Sequence, residues 1–410
     1  MFYKTLIKTF PVKKRYMLQF GYIGTQFSGV QRQIPNDFPN SSDVMTVQGL
    51  LEHALSFTRP LNEVNLRISS RTDAGVHAFK STADVDLEYR YEHQHNPYSI
   101  CKVVNNFFKQ SDLDIRLHDL IHVPNNFSAR FQAQWRKYIY RVAVIREPKY
   151  QGSSHNFFIP MTEHNRCNVL LNHPFVGIDA AKECGKMVEG THDFATFMSK
   201  CKLTEVPPIN TKRTINSFDI SPGRSFFGTE WDYQFDYWTF TCVGRAFLYK
   251  QVRKLVSAMI GVAQEVITVD EFRYMLENPS TLEVDNWHRK LNLVPPYGLY
   301  LMDIGYREED LRVPKDNIRY ALVIESVQDP KKLEVIKLFR ELHGSCSILQ
   351  ARDMLANTPV AVRKDLILLE AKHYQGLFEE AQCTTRIEKI ELDGEDHEHS
   401  EDRLKSSNLK

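Results

Sequence analysis

The chain contains the stretch Ser69-Ser70-Arg71-Thr72-Asp73-Ala74-Gly75-Val76-His77-Ala78, into which a short strand candidate, Leu66 to Ser69, leads. An Asp before Ala-Gly at the end of a strand is usually a turn former whose carboxylate bonds its own backbone. Two neighbours also favour a chemical role, because Arg71 can keep the carboxylate ionised and Gly75 permits close approach of the backbone to a ligand. The residues alone leave turn former and nucleophile open.

Strand and helix patterns precede this stretch. Tyr16 to Tyr22 predicts a strand, and the turn region after it ends in Gln31-Arg32-Gln33. A helix with Thr46 as its N-cap should follow, because apolar residues then recur at helical spacing. These residues are Val47, Leu50, Leu51, Ala54 and Leu55. The pattern indicates an α+β fold with a sheet that helices cover on one side.

The segment after the stretch alternates in polarity. The apolar and acidic positions that alternate are Ala83, Val85 and Leu87 with Asp84, Asp86 and Glu88. Alternation with a period of two predicts a strand that has one buried and one solvent-exposed face.

A second α+β segment extends from about residue 126 to 306. Its strand candidates and its long apolar helix are Tyr138 to Val144, Phe218 to Ile220, Trp238 to Cys242 and Phe247 to Val262. The helix carries Lys250, Arg253 and Lys254 at neighbouring positions. A charge among apolar residues is rarely unpaired, so Arg253 has either a carboxylate partner or a solvated face that the two lysines share. The repeated element order predicts two similar halves packed side by side.

A third unit follows, with the order strand, helix, helix, strand, helix, strand. Its elements are Tyr320 to Ser326, Lys332 to Leu342, Ile348 to Ala356, Val360 to Val362, Leu368 to Ala381 and Thr384 to Ile390. The acidic tail, residues 393–410, is predicted to be disordered.

Composition excludes several classes of protein. No apolar stretch approaches the roughly 20 residues that cross a bilayer, so no membrane association is expected. The seven cysteines form no Cys-x-x-Cys pair, which argues against a zinc site and a disulfide framework. Residues 1–306 hold 35 Lys+Arg against 30 Asp+Glu, whereas residues 307–410 hold 17 against 21. Net charge therefore lets only the first part favour a polyanion.

The N-terminal segment, residues 1–15, is basic and resembles a short organellar presequence. No acidic residue occurs before Asp37. Such signals are compositional, so mitochondrial and cytoplasmic locations are both expected possibilities.

The stretch Arg71 to Ala78 resembles the signature loop of TruA-type pseudouridine synthases, in which the Asp is the nucleophile. Four more segments resemble the same family in the same order. They are Gly24 to Gln33, Phe127 to Tyr140, Phe247 to Arg253 and Val294 to Leu301. The resemblance covers residues 16 to 306 and is nearest to the animal pseudouridylate synthase-like branch, which is associated with mitochondria.

The resemblance implies the pseudouridine synthase fold, with halves at 16–125 and 126–306 that form a central cleft. It implies catalytic roles for Asp73 as nucleophile, Arg71 and Arg253 near its carboxylate, and Tyr138 against the target base. Residues expected to bind RNA are Tyr138, Gln31, Arg32, Arg130, Arg136, Lys137, Lys250 and Lys254. The expected substrate is tRNA or mitochondrial mRNA, without cofactor or metal. A homodimer is one expected assembly, and the sequence leaves the oligomeric state open.

Residues 317–392 resemble the C-terminal domain of the ribosomal large-subunit stalk protein. The matching segments are Leu333 to Arg340, Leu349 to Leu355 and Leu377 to Ala381. The resemblance implies a ribosome or a translation factor as partner, and the alternative is a generic βααβαβ appendage.

Two non-enzymatic alternatives are a catalytically idle RNA-binding protein and a ribosome-associated assembly factor. Both would require loss of the set Asp73, Tyr138 and Arg253, and all three residues are present. Glycosidic hydrolysis would need a second acid near Asp73, which the sequence does not offer. An RNA pseudouridine synthase is therefore the favoured function.

Overall fold

The computed structural model describes most of the chain. The described residues are 11–32, 45–146, 161–171, 173–199, 210–226, 228, 234–280, 287–313, 318–329, 333–343, 346–366 and 368–391. Most of the predicted presequence, Gln33 and the predicted disordered tail lie outside these ranges. The described residues up to Val313 form one compact unit, and those from Ile318 form a second.

One large sheet organises the first unit. Its strands are β1 Val12–Tyr22, β2 Arg67–Ile68, β3 His77–Tyr89, β4 Ile115–Val123, β5 Trp135–Ile145, β6 Asn168–Leu170, β7 Gly190–Asp193, β8 Lys212–Pro222, β9 Phe235–Gly244 and β10 Leu299–Gly305. The order is β4-β1-β3-β10-β5-β9-β8-β7, with β2 paired to β3 and β6 paired to β5. The two predicted halves are therefore two parts of one continuous sheet.

Helices cover this sheet. They are α1 Val47–Ser56, α2 Pro97–Gln110, α3 Ile178–Met187, α4 Gln251–Ala263, α5 Val269–Glu277 and α6 Glu308–Leu311. The predicted α+β class is confirmed. The predicted N-cap of α1 is also confirmed, because the Thr46 side chain accepts a hydrogen bond from Gly49 N, and Leu51 and Leu55 are buried as the periodicity requires.

Strand β10 joins the two halves and thereby positions the site. It pairs in parallel with β3, where Tyr300 lies beside His77, and antiparallel with β5, where Leu301 lies beside Tyr138. Adjacent strands in a sheet lie about 4.8 Å apart. The end of the Asp73 loop and the Tyr138 strand are thus held on the two sides of one strand.

The predicted solvent-exposed face of β3 is wrong at Asp84, whereas Asp86 and Glu88 on the same face are half-buried. Asp84 is fully buried, pairs with Arg67 and accepts a hydrogen bond from Ala129 N at 2.8 Å. Asp86 pairs in a bidentate manner with Arg15, at 2.7 and 2.9 Å. The second face of the sheet is covered here, so the acidic alternation reflects ion pairs beneath a covering segment rather than contact with water.

Helix α4 begins later than the sequence predicted. Lys250 has φ 60°, in the left-handed region, and the helix begins at Gln251. Phe247 to Lys250 instead form a turn, in which Leu248 N donates to Gln251 Oε1 at 2.8 Å. Lys250 therefore points from a turn rather than from the helix face that carries Arg253.

The second unit has the predicted βααβαβ order. Its elements are β11 Ile318–Val327, α7 Leu333–His343, α8 Ile348–Ala356, β12 Val360–Leu366, α9 Leu368–Glu380 and β13 Cys383–Glu391. The antiparallel sheet has the order β12-β11-β13 and packs its helices around Leu322, Phe339 and Phe378. Within the described ranges of both units, no helix has the length and apolar character needed to cross a membrane.

Candidate active site

The loop that carries Asp73 connects β2 to β3 and is fixed by hydrogen bonds from other segments of the chain. Tyr22 Oη and Thr72 Oγ1 lie 2.6 Å apart, and Val30 N donates to Thr72 O at 3.2 Å. Gly75 has φ +79°, a conformation that glycine adopts without strain. The Gly75 that the sequence singled out therefore makes the turn that follows Asp73.

His77 fastens the end of this loop. Gly24 N donates to His77 Nδ1 at 2.9 Å, so the ring is the neutral tautomer that carries its proton on Nε2. Nε2 lies 3.0 Å from Tyr297 O and 3.1 Å from Asn165 O. Burial, as the largest effect, lowers the pKa of His77. This histidine is a neutral structural link, which agrees with a site that needs no histidine base.

Arg253 forms an ion pair with Asp73. Its Nη1 lies 3.2 Å from Asp73 Oδ2, and the two side chains are 9% and 25% exposed. Arg253 Nε and Nη2 donate to Val294 O at 3.0 and 2.8 Å, while Val294 N donates to Ser257 Oγ at 2.9 Å. The guanidinium is therefore fixed before substrate binds, and it contacts Oδ2 of the Asp73 carboxylate.

Tyr138 is buried in the same cleft. Its Oη lies 2.8 Å from Ser70 Oγ, and its ring meets Phe247 edge-on at 5.3 Å. Burial is the largest effect and raises the pKa of Tyr138; the hydrogen bond with Ser70 and the charge of Arg136 oppose it, and the smaller effect of Asp73 adds to it. The phenol is therefore neutral at neutral pH, so it can relay a proton but cannot act as a phenolate base.

The cleft has a volume of about 980 Å³ and is strongly basic. Among the lining residues that the structure describes, Asp73 is the only acidic one. The cations that line it are Arg71, Arg130, Arg136, Lys212, Arg213, Arg245, Lys250 and Arg253. Eight cations around one carboxylate favour a polyanionic ligand and raise its local concentration.

Besides Asp73, Tyr138 and Arg253, three predicted residues with exposed or half-buried side chains line the cleft, namely Arg71, Arg130 and Lys250. Arg71 and Arg130 are exposed, and Lys250 is half-buried beside the ring of Tyr249. Among the described residues, however, the ion pair with Asp73 comes from Arg253 and not from Arg71. Gln31 is exposed but does not belong to the cleft lining.

Two residues that were predicted to contact RNA instead form buried hydrogen bonds with backbone carbonyls. Arg136 is buried and donates to the carbonyls of Ser69, Arg130 and Arg245. Lys254 is 6% exposed, and its Nζ donates to the carbonyls of Met198 and Thr196, in the segment that follows β7, at 2.9 and 3.2 Å. Both cations satisfy backbone oxygens, so their charges are not placed to meet phosphates.

Two more predicted contacts point elsewhere. Arg32 pairs with the buried carboxylate of Glu52, Nη2 to Oε2 at 3.0 Å. Lys137 alternates with Arg136 and Tyr138 along β5, so its exposed side chain lies on the opposite face of the sheet from the cleft. Sequence proximity to a motif did not reveal which face each side chain takes.

Several cleft residues were missed by the sequence analysis. They are Phe131, Lys212, Arg213, Arg245 and Tyr249. Phe131 and Tyr249 lie inside recognised segments but had no role assigned, and Arg245 lies two residues before one. Nothing local marks Lys212 and Arg213, because strand pairing alone brings β8 to the cleft.

No cluster of three or more potential metal ligands occurs in the described part of the chain.

Comparison with known proteins agrees with this site. A family model described as tRNA pseudouridine synthase matches residues 185–307. tRNA pseudouridine synthase-like 1 of Xenopus laevis is 34% identical over 302 residues, which are 73% of this chain and 93% of that protein. tRNA pseudouridine synthase-like 1 of Mus musculus is 30% identical over 298 residues, 72% and 94% of the two chains. tRNA pseudouridine synthase A of Streptomyces avermitilis is 30% identical over 301 residues, 72% and 90%. The chain therefore belongs to the tRNA pseudouridine synthase family and is an isomerase that acts on uridine in RNA.

Proposed function

We propose that this chain forms pseudouridine in tRNA with Asp73 as the nucleophile. The observation that carries the proposal is the ion pair between Asp73 and Arg253 in a cleft whose lining is otherwise basic. The guanidinium of Arg253 stabilises the negative charge that Asp73 needs as a nucleophile. The tRNA substrate is supported by the names of the similar proteins.

The reaction is an isomerisation, so no atom is gained or lost. An oxygen of Asp73 attacks the flipped nucleotide at ribose C1′ or base C6, and the N1–C1′ bond breaks. The uracil turns over and a C5–C1′ bond forms, and the bond from Asp73 to C1′ or C6 breaks, which restores the carboxylate. The proton on C5 leaves while N1 gains one. Tyr138 lines the same cleft as Asp73 and is the candidate for this proton transfer, as a neutral relay through its contact with Ser70.

Base extrusion is the step that the basic cleft supports. A uridine in folded RNA is stacked and must be flipped out at a cost of a few kcal/mol. The buried ring of Tyr138, next to Asp73 in the cleft, offers an aromatic face that recovers about 1–3 kcal/mol per base.

The test uses unmodified tRNA transcripts, wild-type enzyme and Asp73→Asn, with base-resolution mapping of pseudouridine. We expect Asp73→Asn to fold and to bind tRNA as the wild type does, because the amide keeps the shape of the carboxylate. Its turnover should fall below about one thousandth of the wild-type rate, which corresponds to roughly 4 kcal/mol of lost barrier reduction. Turnover above that level would exclude Asp73 as nucleophile. An inactive wild type that still binds tRNA would favour the idle RNA-binding alternative.

A tethering role of the second unit is a further candidate. The observation that favours it is the βααβαβ unit with its own core, together with its resemblance to the stalk protein domain. Cosedimentation of the whole chain, and of the chain cut after Val313, with ribosomes tests this role. Equal sedimentation of the two forms would exclude it.

A further inference from the structure

Phe131 is a feature of the cleft that the proposed reaction does not use. Its side chain is 76% exposed, although it lines the same cleft as Asp73 and Tyr138. A single exposed apolar residue is common on protein surfaces and by itself means little. The way in which its backbone is held distinguishes this ring from the others.

The backbone before Phe131 is anchored in the core. Ala129 is fully buried, and its N–H donates to the buried carboxylate of Asp84 at 2.8 Å. Its carbonyl accepts a hydrogen bond from Tyr306 Oη at 2.7 Å. An ion pair with Arg67 holds Asp84 in turn. The exposed ring of Phe131 therefore projects from a backbone segment that is held rigidly, which lowers the conformational entropy lost when a ligand binds.

Arg136 links the backbone before Phe131 to the backbone before the loop that carries Asp73. Its Nη2 donates both to Arg130 O at 3.2 Å and to Ser69 O at 2.8 Å. Ser69 precedes the Asp73 loop, and Arg130 precedes Phe131. The position of the ring relative to the nucleophile is therefore set by one buried guanidinium.

Arg130 supplies a charge next to the ring. Its guanidinium carbon lies 5.6 Å from the ring centroid of Phe131. A flat aromatic ring beside an accessible cation matches the two parts of a nucleotide, a base to stack on and a phosphate to neutralise.

We propose that Phe131 stacks on the nucleobase next to the target uridine, while Arg130 contacts the phosphate between them. Flipping one nucleotide removes the stacking partner of each neighbour, so a fixed ring beside the cleft can replace what was lost. The inference rests on the proposed function for the identity of the flipped nucleotide. It makes Phe131 a substrate-positioning residue, and the stacking tolerates any base because every base has a π-face.

The experiment measures the affinity of unmodified tRNA transcripts by anisotropy, together with single-turnover rates of pseudouridine formation. The variants are Phe131→Ala, Phe131→Trp and a matched control, Phe79→Ala. Phe79 is 67% exposed and lies outside the cleft lining. The transcripts are intact or carry one abasic nucleotide, placed in turn beside each unpaired uridine.

We expect Phe131→Ala to weaken binding of the intact transcript about 5- to 150-fold, the range expected for one stacked base. Phe131→Trp should bind as tightly as the wild type, and Phe79→Ala should be unchanged. One abasic position should weaken the wild type by the same factor and should add nothing to Phe131→Ala.

Equal binding by Phe131→Ala and Phe79→Ala would overturn the stacking role. The stacking role would also be overturned if the loss of affinity from wild type to Phe131→Ala were the same for every abasic transcript. Binding and turnover separate the two proposals, because tight binding that depends on Phe131 without pseudouridine formation would refute only the proposed reaction. Turnover with no effect of Phe131→Ala on either readout would refute only the stacking role.

Discussion

At the scale of single residues, the proposed reaction depends on the ion pair between Arg253 and Asp73. Arg253→Ala should lower the single-turnover rate at saturating tRNA on the order of 100- to 1,000-fold, the usual effect of removing one preorganised charged donor from a reacting centre. Arg253→Lys should recover only part of this loss. An ammonium cannot donate to Val294 O and to Asp73 Oδ2 in the planar geometry that the guanidinium uses.

A phosphate contact by Arg253 would give different results. In that case Arg253→Ala would lose tight RNA binding, and the negative slope of log affinity against log salt would become shallower by about 0.9. Its rate at saturating tRNA would stay normal. Binding at several salt concentrations and single-turnover rates, measured on the same variants, separate these outcomes.

His77 should make the stability of the enzyme depend on pH. Its pKa is lowered from the ordinary value of 6.5, first by burial and then by the nearby positive charges of Arg141 and Arg166, although hydrogen bonds to Tyr297 O and Asn165 O oppose this. The unfolded chain therefore binds a proton at this ring more readily than the folded chain does. The contribution of His77 is fully present above about pH 6.5 and is lost as pH falls through the lower pKa of the folded state.

The measurement is the free energy of unfolding of the wild type and of His77→Asn between neutral and mildly acidic pH. The wild type should lose stability more steeply than His77→Asn below about pH 6.5, since the other histidines are common to both. Parallel curves would show that His77 is protonated as easily in the folded chain as in the unfolded one.

At the scale of elements, two lysines near the start of α4 have different environments: Lys254 lies inside the helix and is buried, whereas Lys250 lies in the turn before it. Lys254→Met should destabilise the fold by about 1–3 kcal/mol, because it leaves the carbonyls of Thr196 and Met198 without their charged donor. Its tRNA affinity should keep the wild-type salt dependence. Lys250→Met, from the turn before the helix, should instead keep stability and lower the salt slope by about 0.9.

Chemical denaturation and salt-dependent binding of both lysine variants check this contrast. A changed salt slope in Lys254→Met, or a large loss of stability in Lys250→Met, would contradict the different environments that the structure gives the two side chains.

At the scale of the whole molecule, the chain should be divisible after Val313. A protein that ends there keeps α6, in which Leu311 packs against the cluster of Met17, Val123 and Phe127 and Asp310 accepts from Gln132 Nε2 at 3.2 Å. We expect such a protein to unfold cooperatively and to modify tRNA transcripts at a rate within about threefold of the full chain. A cut after Tyr306 removes this packing and should lower the melting temperature.

Thermal unfolding and turnover of the two truncated proteins test this prediction. Aggregation of the protein cut after Val313 would show that the second unit is needed for the first to fold. Equal stability of the two truncated proteins would show that α6 contributes nothing.

The sequence by itself predicted many of the elements and named the residues that are proposed to react. The Asp73 loop, Tyr138 and the Arg253 segment are short local motifs, and each could be recognised from neighbouring residues and their resemblance to one family. The order of the second unit was also predictable, because helical and strand periodicities are properties of a short stretch of chain. The pairing of Arg253 with Asp73 was expected from the resemblance, and the structure shows it.

Only the tertiary structure decided which polar residues meet solvent. Periodicity tells which side chains share a face, but it does not tell whether another segment covers that face. Asp84 lies beneath the segment that carries Ala129, and Lys254 and Arg136 bind carbonyls from distant parts of the chain. Lys212 reaches the cleft through strand pairing alone. The RNA-facing surface is set by long-range packing, which no local pattern encodes.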